Sequence, residues 1–174
     1  MPDGCRVGGV NGGWRIARTT LANERVSLSQ TWTFGAGVAE LLGVARAADQ
    51  PPAGDVGRLV CEGRSIDILG LRVTLKRISG TEPGATGSVR KLLGMRNAQQ
   101  IADLCFALSG GSAAVAAGFG PPVGKDGKPN GAHWARQDLA VRAVTIGGGT
   151  ADIQLNIIAE RMLGLPRDPE PPAS

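Results

Sequence analysis

The sequence predicts an all-α domain, an up-and-down arrangement like a four-helix bundle with one short extra helix. Apolar residues make up 42% of the 174-residue chain, yet aromatic residues make up only 3%, and tyrosine is absent. This composition favours helices packed through small side chains over a sheet, which prefers β-branched and aromatic residues. Apolar residues also recur at helical spacing over long stretches, and no stretch shows a convincing strand pattern. At this length we expect one domain.

The first predicted helix runs from Trp14 to Ala48. The glycine-rich sequence NGG precedes it, and the prolines of the sequence DQPP cannot continue it. Two glycines, Gly35 and Gly37, are expected to bend or interrupt this helix. We expect Trp14 and Trp32, which stand at helical positions, to belong to the core.

Two further long helices are predicted, from Asp55 to Ser79 and from Gly87 to Ser109. In both, apolar residues recur three or four positions apart. The sequences SGTEPG and SGG end the two helices, because glycine and proline favour turns there. Together with the first helix they supply the long elements of the bundle.

The C-terminal third is predicted to contain a loop and two shorter helices. Residues 113 to 130 change from an alanine-rich run into the sequence GFGPPVGKDGKPNG, which indicates a mobile loop. A helical pattern returns from His133 to Val144, breaks at the sequence IGGG and restarts at Thr150. The proline-rich sequence PRDPEPPAS follows the last helix.

The balance of charge limits the classes of partner. Nineteen Lys and Arg against fifteen Asp and Glu give a net charge of +4, with the signs interleaved. This modest excess favours an anionic ligand, but no run of Lys and Arg indicates a nucleic-acid surface. No uncharged apolar stretch approaches ~18 residues, and the N-terminus lacks the pattern of a secretion signal. We therefore expect no membrane span, and a soluble, cytoplasmic protein.

Cysteine and histidine give no sign of a metal site. The three cysteines, Cys5, Cys61 and Cys105, are far apart and show no CxxC spacing. We interpret them as reduced thiols rather than as disulfides or metal ligands. The single histidine, His133, has no partner at metal-ligand spacing, so we assign it a structural role.

Three segments of the chain carry a family resemblance. A turn with the sequence VGGVNGGW leads into a helix that contains LANER, from Leu21 to Arg25. Residues 88–110 read SVRKLLGMRNAQQIADLCFALSG, and residues 145–168 read TIGGGTADIQLNIIAERMLGLPRD. In this order and at this spacing, the segments resemble the C-terminal helical domain of the acyl-CoA dehydrogenase family. The resemblance covers nearly the whole chain.

The resemblance implies a division of the chain into three parts. Residues 1–13 resemble the last strand and linker of the family's β-domain, residues 14–165 form the helical bundle, and residues 166–174 form a proline-rich tail. The family's N-terminal helical domain and its flavin-binding β-domain have no counterpart in this sequence. We therefore expect the chain to be the downstream part of a longer gene.

The resemblance also implies a reaction. In this family a carboxylate removes the α-proton of an acyl-CoA thioester while the β-hydrogen leaves as hydride to FAD, which yields a 2,3-enoyl-CoA. Most members place the glutamate base just before a closing GT sequence, where this chain has Gly148. A minority place it in the helix that here contains LANER, and Glu24 occupies that position. The resemblance thus implies Glu24 as the base of the intact enzyme, with Arg25 organising charge and packing beside it.

A cofactor site is implied near the C-terminus. Thr150 and Gln154 match family positions that contact the flavin, in part across a subunit boundary, and Gly148 and Gly149 complete the predicted FAD-binding set. Glycines let a backbone approach a ligand closely, and a helix that begins at Thr150 presents unpaired N–H groups. Taken alone, the pattern is that of an ordinary helix start with a threonine N-cap. The arginine of the family's flavin-contacting RxxFG motif is not found in the sequence VARAADQPP.

Three functional hypotheses remain open. The chain is the C-terminal domain of an FAD-dependent acyl-CoA dehydrogenase, acting on an acyl-CoA with an electron-transfer partner and assembling as a homo- or hetero-oligomer. Alternatively, it is a non-catalytic helical module that assembles with a dehydrogenase partner or with itself. A third possibility is a truncated gene product without a selected function. We expect the isolated chain to bind FAD weakly or not at all and to show no dehydrogenase turnover.

Overall fold

The computed structural model describes most of the chain as a set of packed helices. The described residues are 3–17, 19–20, 37–81, 84–111 and 120–167. Within these ranges there is no strand, only an isolated bridge between Val123 and Pro129. The predicted all-α class is therefore confirmed.

Five α-helices have defined bounds, and residues 13–17 and 19–20 are also helical. The five are α1 (Val38–Ala47), α2 (Ala53–Ile78), α3 (Thr86–Leu108), α4 (Gly131–Val141) and α5 (Ala151–Arg161). Short 3-10 turns occupy Asp3–Cys5 and Arg142–Thr145. The long helices α2 and α3 begin and end within two residues of their predicted bounds.

The first predicted helix is only partly covered by the described residues. Its last part is α1, which begins after Gly37, one of the two glycines expected to interrupt it. The backbone N–H of Gly37 donates to Glu40 Oε2 at 3.0 Å, so the side chain of Glu40 satisfies a donor at the helix start. Residues 21–36, with the predicted LANER segment, lie outside the described residues.

The core is centred on α3, which packs against α1, α2, α4 and α5. Its buried residues come from the first four helices: Leu41, Val44, Leu59, Ile101, Cys105 and Trp134. The indole Nε1 of Trp134 donates to the carbonyl oxygen of Pro122 at 3.0 Å, which satisfies its polar atom inside the core. The prediction of a core role for Trp14 is wrong, because this side chain is 74% exposed. Trp32 lies outside the described residues.

Small residues allow α1, α2 and α3 to approach one another closely. A Cβ atom on Gly63 of α2 would lie 2.5 Å from Val38 Cγ2 of α1, so only glycine fits at this crossing. Next to it, the Nδ2 of buried Asn97 on α3 donates to the carbonyl oxygen of Leu59 at 3.1 Å. The helix contacts therefore depend on a small residue and a buried amide as well as on apolar packing.

The described part of the predicted loop, from residue 120 onward, has a defined conformation. Asn130 Nδ2 donates to the carbonyl oxygen of Pro121 at 2.9 Å, and its Oδ1 accepts from the His133 N–H at the start of α4. The His133 ring contacts the carbonyl oxygen of Gly120 at 2.8 Å through Nδ1, which must carry the proton because a carbonyl only accepts. These bonds connect the described part of the loop to the start of α4, and its expected mobility stays a prediction.

Candidate functional site: the glycine loop before the last helix

Three consecutive glycines form a turn between α4 and α5. The turn follows the 3-10 residues Arg142–Thr145 and ends at Thr150. Gly148 has a φ of +66° and Gly149 a φ of +104°, values in the left-handed region that glycine adopts without a steric penalty. We call Gly147, Gly148 and Gly149 the glycine loop.

Lys91 of α3 binds the glycine loop through hydrogen bonds. Its side chain is only 6% exposed, and its ammonium group donates to the carbonyl oxygens of Gly147 and Gly149. A buried ammonium is costly unless polar groups replace its water, and the two carbonyl dipoles do so here. Lys91 therefore ties the middle of the bundle to the turn that precedes α5.

Gln154 holds the same loop from the α5 side. The side chain is fully buried, and its Nε2 donates to the carbonyl oxygen of Gly148 at 3.1 Å, with a longer contact of 3.4 Å to that of Gly149. A Cβ atom on Gly149 would lie 2.7 Å from this Nε2. The three carbonyl oxygens of the glycine loop are thus bound by two buried side chains, and this packing requires glycine at position 149.

The second polar atom of Gln154 is unsatisfied within the described residues. Its Oε1 is buried and accepts no hydrogen bond from them. Buried side-chain oxygens are nearly always paired, and leaving one without a donor costs about 1–3 kcal/mol. Within the described residues, Oε1 therefore has unused capacity to accept a hydrogen bond.

The first turn of α5 also offers hydrogen-bond donors. Thr150 Oγ1 accepts from the Ile153 N–H at 3.4 Å and so caps the helix. The N–H groups of Ala151 and Asp152 have no partner within the helix, and the helix dipole places partial positive charge there. The exposed carboxylate of Asp152 lies in the same turn and supplies negative charge to it. The turn can thus donate to an acceptor atom or a negative charge on a ligand.

The structure brings four of the six predicted site residues together. Gly148, Gly149, Thr150 and Gln154 form one continuous loop and helix start. Glu24 and Arg25 lie outside the described residues, so their assignment stays a prediction.

The sequence reasoning missed Lys91, although the sequence carries a signal for it. Buried residues of α3 recur three and four positions apart, and Lys91 is the one basic member of that series. The series consists of Ser88, Lys91, Met95, Ala98 and Ala102. A lysine in the core phase of a helix indicates buried acceptors nearby.

Arg142, Asp103 and Asp138 form an ionic cluster at the C-terminal end of α4. The guanidinium of Arg142 donates to Asp103 Oδ1 at 2.5 Å and to Asp138 Oδ1 at 2.8 Å. Burial raises the pKa of the Asp138 carboxyl, and hydrogen bonding with Asp103 raises it further, while the charge of Arg142 opposes this shift. The cluster joins α3, α4 and the 3-10 turn. We assign it a structural role.

Neither a cluster of metal ligands nor a membrane-spanning helix occurs among the described residues. No group of three or more His, Cys, Asp or Glu side chains lies close enough together there to hold a metal ion. None of the described helices combines the length and the apolar character that crossing a membrane requires.

Comparisons with known proteins agree on one family. The family model for the acyl-CoA dehydrogenase C-terminal domain matches residues 11–163. The acyl-CoA dehydrogenase FadE34 of Mycobacterium tuberculosis is 38% identical, and the match covers 96% of this chain and 22% of that protein. The acyl-CoA dehydrogenase IpdE1 of the same organism is 33% identical, and the match covers 93% of this chain and 40% of that protein.

The fold of a solved structure agrees with these matches. A chain in the crystal structure of the ChsE4-ChsE5 complex from Mycobacterium tuberculosis superposes with a TM-score of 0.67 at 26% identity. The superposition covers 97% of this chain and 45% of that chain. The chain thus spans less than half the length of each of these relatives. The predicted resemblance is confirmed: the chain belongs to the acyl-CoA dehydrogenase family, and it matches the family's C-terminal helical domain.

Proposed function

We propose that this chain acts as the C-terminal domain of an FAD-dependent acyl-CoA dehydrogenase in the cytoplasm. The reaction is the α,β-dehydrogenation of an acyl-CoA thioester to a 2,3-enoyl-CoA, with an electron-transfer partner that reoxidises the cofactor. The observation that carries the proposal is the fully buried Gln154. Its Nε2 donates to the glycine loop, and its buried Oε1 has no hydrogen-bond donor among the described residues.

The residues at the start of α5 fit a flavin. Gln154 Oε1 can accept a hydrogen bond, the first-turn N–H groups of α5 can donate, and the glycine loop has no side chains to obstruct an approach. A flavin ring presents both N–H donors and carbonyl acceptors, so both kinds of group can be satisfied. We therefore assign Gly148, Gly149, Thr150 and Gln154 to the binding of FAD. When bound, FAD supplies the hydride acceptor of the reaction.

Glu24 is proposed as the base that takes the α-proton, with Arg25 organising charge beside it. The position before the closing GT sequence holds Gly148, whose φ of +66° suits glycine and would strain a glutamate. The loop therefore cannot supply the carboxylate that most of the family places there. The proton must go to a base elsewhere, and by family resemblance Glu24 is that base.

A second candidate function is a non-catalytic partner subunit of an acyl-CoA dehydrogenase assembly. The absence of a carboxylate at Gly148 favours it. The solved relative is a complex of two named proteins, which supports an assembly of unlike chains for this protein as well. In this case the helices would contribute surface to a homo- or hetero-oligomer, and Glu24 would have no chemical role.

One experiment tests the proposal and separates the two candidates. The chain is purified alone and also after expression with the DNA sequence that precedes the Met1 codon, and the visible flavin spectrum of each product is recorded. We expect stoichiometric flavin and turnover of acyl-CoA in the longer product alone. Glu24→Gln should then abolish turnover and leave flavin bound, whereas Gln154→Ala should weaken flavin binding.

Other outcomes contradict the assignment. Stoichiometric flavin in the chain alone would show that no further domain is needed. No flavin in either product would favour the partner subunit. Turnover that Glu24→Gln leaves unchanged would instead show that Glu24 is not the base.

A further inference from the structure

The backbone N–H groups around the glycine loop differ in whether they have an acceptor. Those of Gly147 and Gly149 donate to carbonyl oxygens earlier in the chain, at 3.3 and 3.2 Å. Those of Gly148 and Thr150 donate to no acceptor among the described residues. Gly148 is buried, and the N–H group of a buried residue rarely lacks an acceptor. Two donors, one of them in a buried residue, are therefore unused within the described part of the chain.

These two donors belong to the peptide groups that Lys91 binds. The carbonyl of Gly147 and the N–H of Gly148 form one peptide group. The carbonyl of Gly149 and the N–H of Thr150 form another. Both peptide bonds are trans, so each N–H points away from the carbonyl oxygen of its own group. Because the Lys91 ammonium donates to both carbonyl oxygens, it orients both N–H groups away from itself.

The peptide group between them has no unused donor. Its carbonyl, from Gly148, accepts from Gln154 Nε2 at 3.1 Å. Its N–H, from Gly149, donates to the carbonyl oxygen of Ile146 at 3.2 Å. The buried Oε1 of Gln154 has no donor among the described residues. Unused donors and an unused acceptor therefore occur in the same turn, as expected at a site that binds a ligand with polar atoms.

The positive charge of Lys91 strengthens the two unused donors. A hydrogen bond from an ammonium group to a carbonyl is roughly twice as strong as one between neutral groups. It polarises the whole peptide group, so the N–H at the other end becomes a better donor, and the effect is larger where the dielectric constant is low. Lys91 is only 6% exposed, so its hydrogen bonds lie in such surroundings. A neutral side chain at this position would polarise the donors less.

We propose that Lys91 is a positioning residue for FAD, which orients and strengthens the N–H groups of Gly148 and Thr150 as donors to oxygen atoms of the cofactor. FAD presents two kinds of acceptor oxygen, the carbonyl oxygens of the flavin ring and the phosphate oxygens. Lys91 acts through the two peptide groups and not through its own contact with the cofactor. The inference rests on the proposed function, which assigns the start of α5 to FAD binding.

The test compares variants of the longer product, which includes the sequence encoded before Met1. Lys91→Met keeps the aliphatic stem and removes the charge and the donors. Gly63→Ala is the matched control, because its added Cβ would lie 2.5 Å from Val38 Cγ2 and would disturb the crossing of α1 and α2, not the glycine loop. Melting temperatures are measured first. The Kd for FAD is then determined by flavin fluorescence at a temperature where both variants are folded.

Lys91→Met is expected to raise the Kd for FAD by at least about tenfold, because two oriented donors are lost. Gly63→Ala should change the Kd by less than about twofold, since its effect on the fold is independent of the loop. The reduction potential of the bound flavin identifies the acceptor. Donors to the ring carbonyls favour the more negative, reduced flavin, so their loss lowers the potential, whereas the loss of donors to phosphate leaves it unchanged.

Lys91→Gln separates the charge from the fold, and it takes the place of Lys91→Met if that variant does not fold. Glutamine keeps N–H donors for the loop carbonyls, so its melting temperature should lie above that of Lys91→Met. Its Kd for FAD should still exceed the wild-type value at least about threefold, because the charge that polarises the donors is absent.

Four outcomes would overturn the inference. A wild-type Kd for FAD in Lys91→Met would overturn it alone and leave the proposed function standing, and a wild-type Kd in Lys91→Gln would remove the role of the charge. Equal losses of affinity in Lys91→Met and Gly63→Ala would show that Lys91 acts only through the stability of the fold. No flavin in the wild-type longer product would contradict the proposed function, and this inference with it.

Discussion

Lys91 on α3 donates a hydrogen bond to the carbonyl oxygen of Gly149, 58 positions further along the chain. The same ammonium group donates to Gly147, so one side chain holds both ends of the glycine loop. Because these hydrogen bonds join residues that are far apart in the sequence, the conformation of the turn before α5 depends on the position of α3 in the bundle.

Lys91→Met should therefore destabilise the fold. Methionine keeps the aliphatic stem but leaves two carbonyl oxygens without this donor, and each buried polar group left unsatisfied costs about 1–3 kcal/mol. Urea unfolding followed by circular dichroism measures the loss. Lys125→Met, at an exposed loop position, should change the free energy of unfolding by no more than about 0.5 kcal/mol. Equal effects of the two variants would contradict a structural role for Lys91.

Gly149→Ala should also be destabilising, by more than about 1 kcal/mol. A φ of +104° is unfavourable for alanine, and the added Cβ would meet Gln154 Nε2 at 2.7 Å. Gly87→Ala is the matched control, since Gly87 lies in the first turn of α3 with open space where its Cβ would be. That control should stabilise the protein by about 0.4–1 kcal/mol, because alanine favours helix. Thermal unfolding of both variants decides the comparison.

The three cysteines should differ in reactivity. Cys105 is buried, and burial followed by the charge of Glu40 raises the pKa of its thiol to about 12, so almost no thiolate forms at neutral pH. Cys5 and Cys61 are exposed. Iodoacetamide at about pH 8, followed by mass spectrometry, should label Cys5 and Cys61 in the folded protein and all three after denaturation. Early labelling of Cys105 would mean that the core opens readily.

The Asp138 carboxyl should make stability depend on pH. Burial and the bond with Asp103 raise its folded pKa above the ordinary value of 3.8, so the protonated form is favoured in the folded state. This contribution to stability is complete below the unfolded pKa and is lost as pH rises through the folded pKa. The stability of the wild-type chain relative to Asp138→Asn should therefore fall as pH rises from about 3.8, as measured by urea unfolding at a series of pH values. A constant difference would contradict the shift.

The long helices could be predicted from the sequence because their signal is local. In α2 and α3 the apolar period persists over many turns, and glycine, serine and proline residues mark the ends. Gly148, Gly149 and Gln154 were predicted as site residues through the family resemblance, and their role in binding FAD stays a prediction. The place of Lys91 in the buried series of α3 is a local signal for a buried lysine, but its acceptors, backbone atoms of a distant segment, could not be predicted.

The error at Trp14 has a physical cause. Trp14 stands at a helical position, but a helix has an exposed face as well as a buried one, and periodicity alone did not show which face Trp14 occupies. The segment before α4 is a loop, as its composition predicts, and Asn130 and Trp134 donate hydrogen bonds to carbonyl oxygens several residues earlier in it. Local sequence shows which conformations the backbone can adopt, but it does not show which side chains and carbonyl groups the fold brings into contact.

The hydrogen bonds from Lys91 and Gln154 to the glycine loop affect the conformational entropy that binding at this loop would cost. Lys91 and Gln154 fix its three carbonyl oxygens through contacts within the protein, so the turn has its shape before any ligand arrives. A loop that orders only on binding loses conformational entropy at that moment, at about 1–2 kcal/mol for each residue fixed. Here that loss is part of folding instead. For the FAD binding proposed at the start of α5, contacts with the ligand therefore contribute to affinity without a loss from ordering the loop.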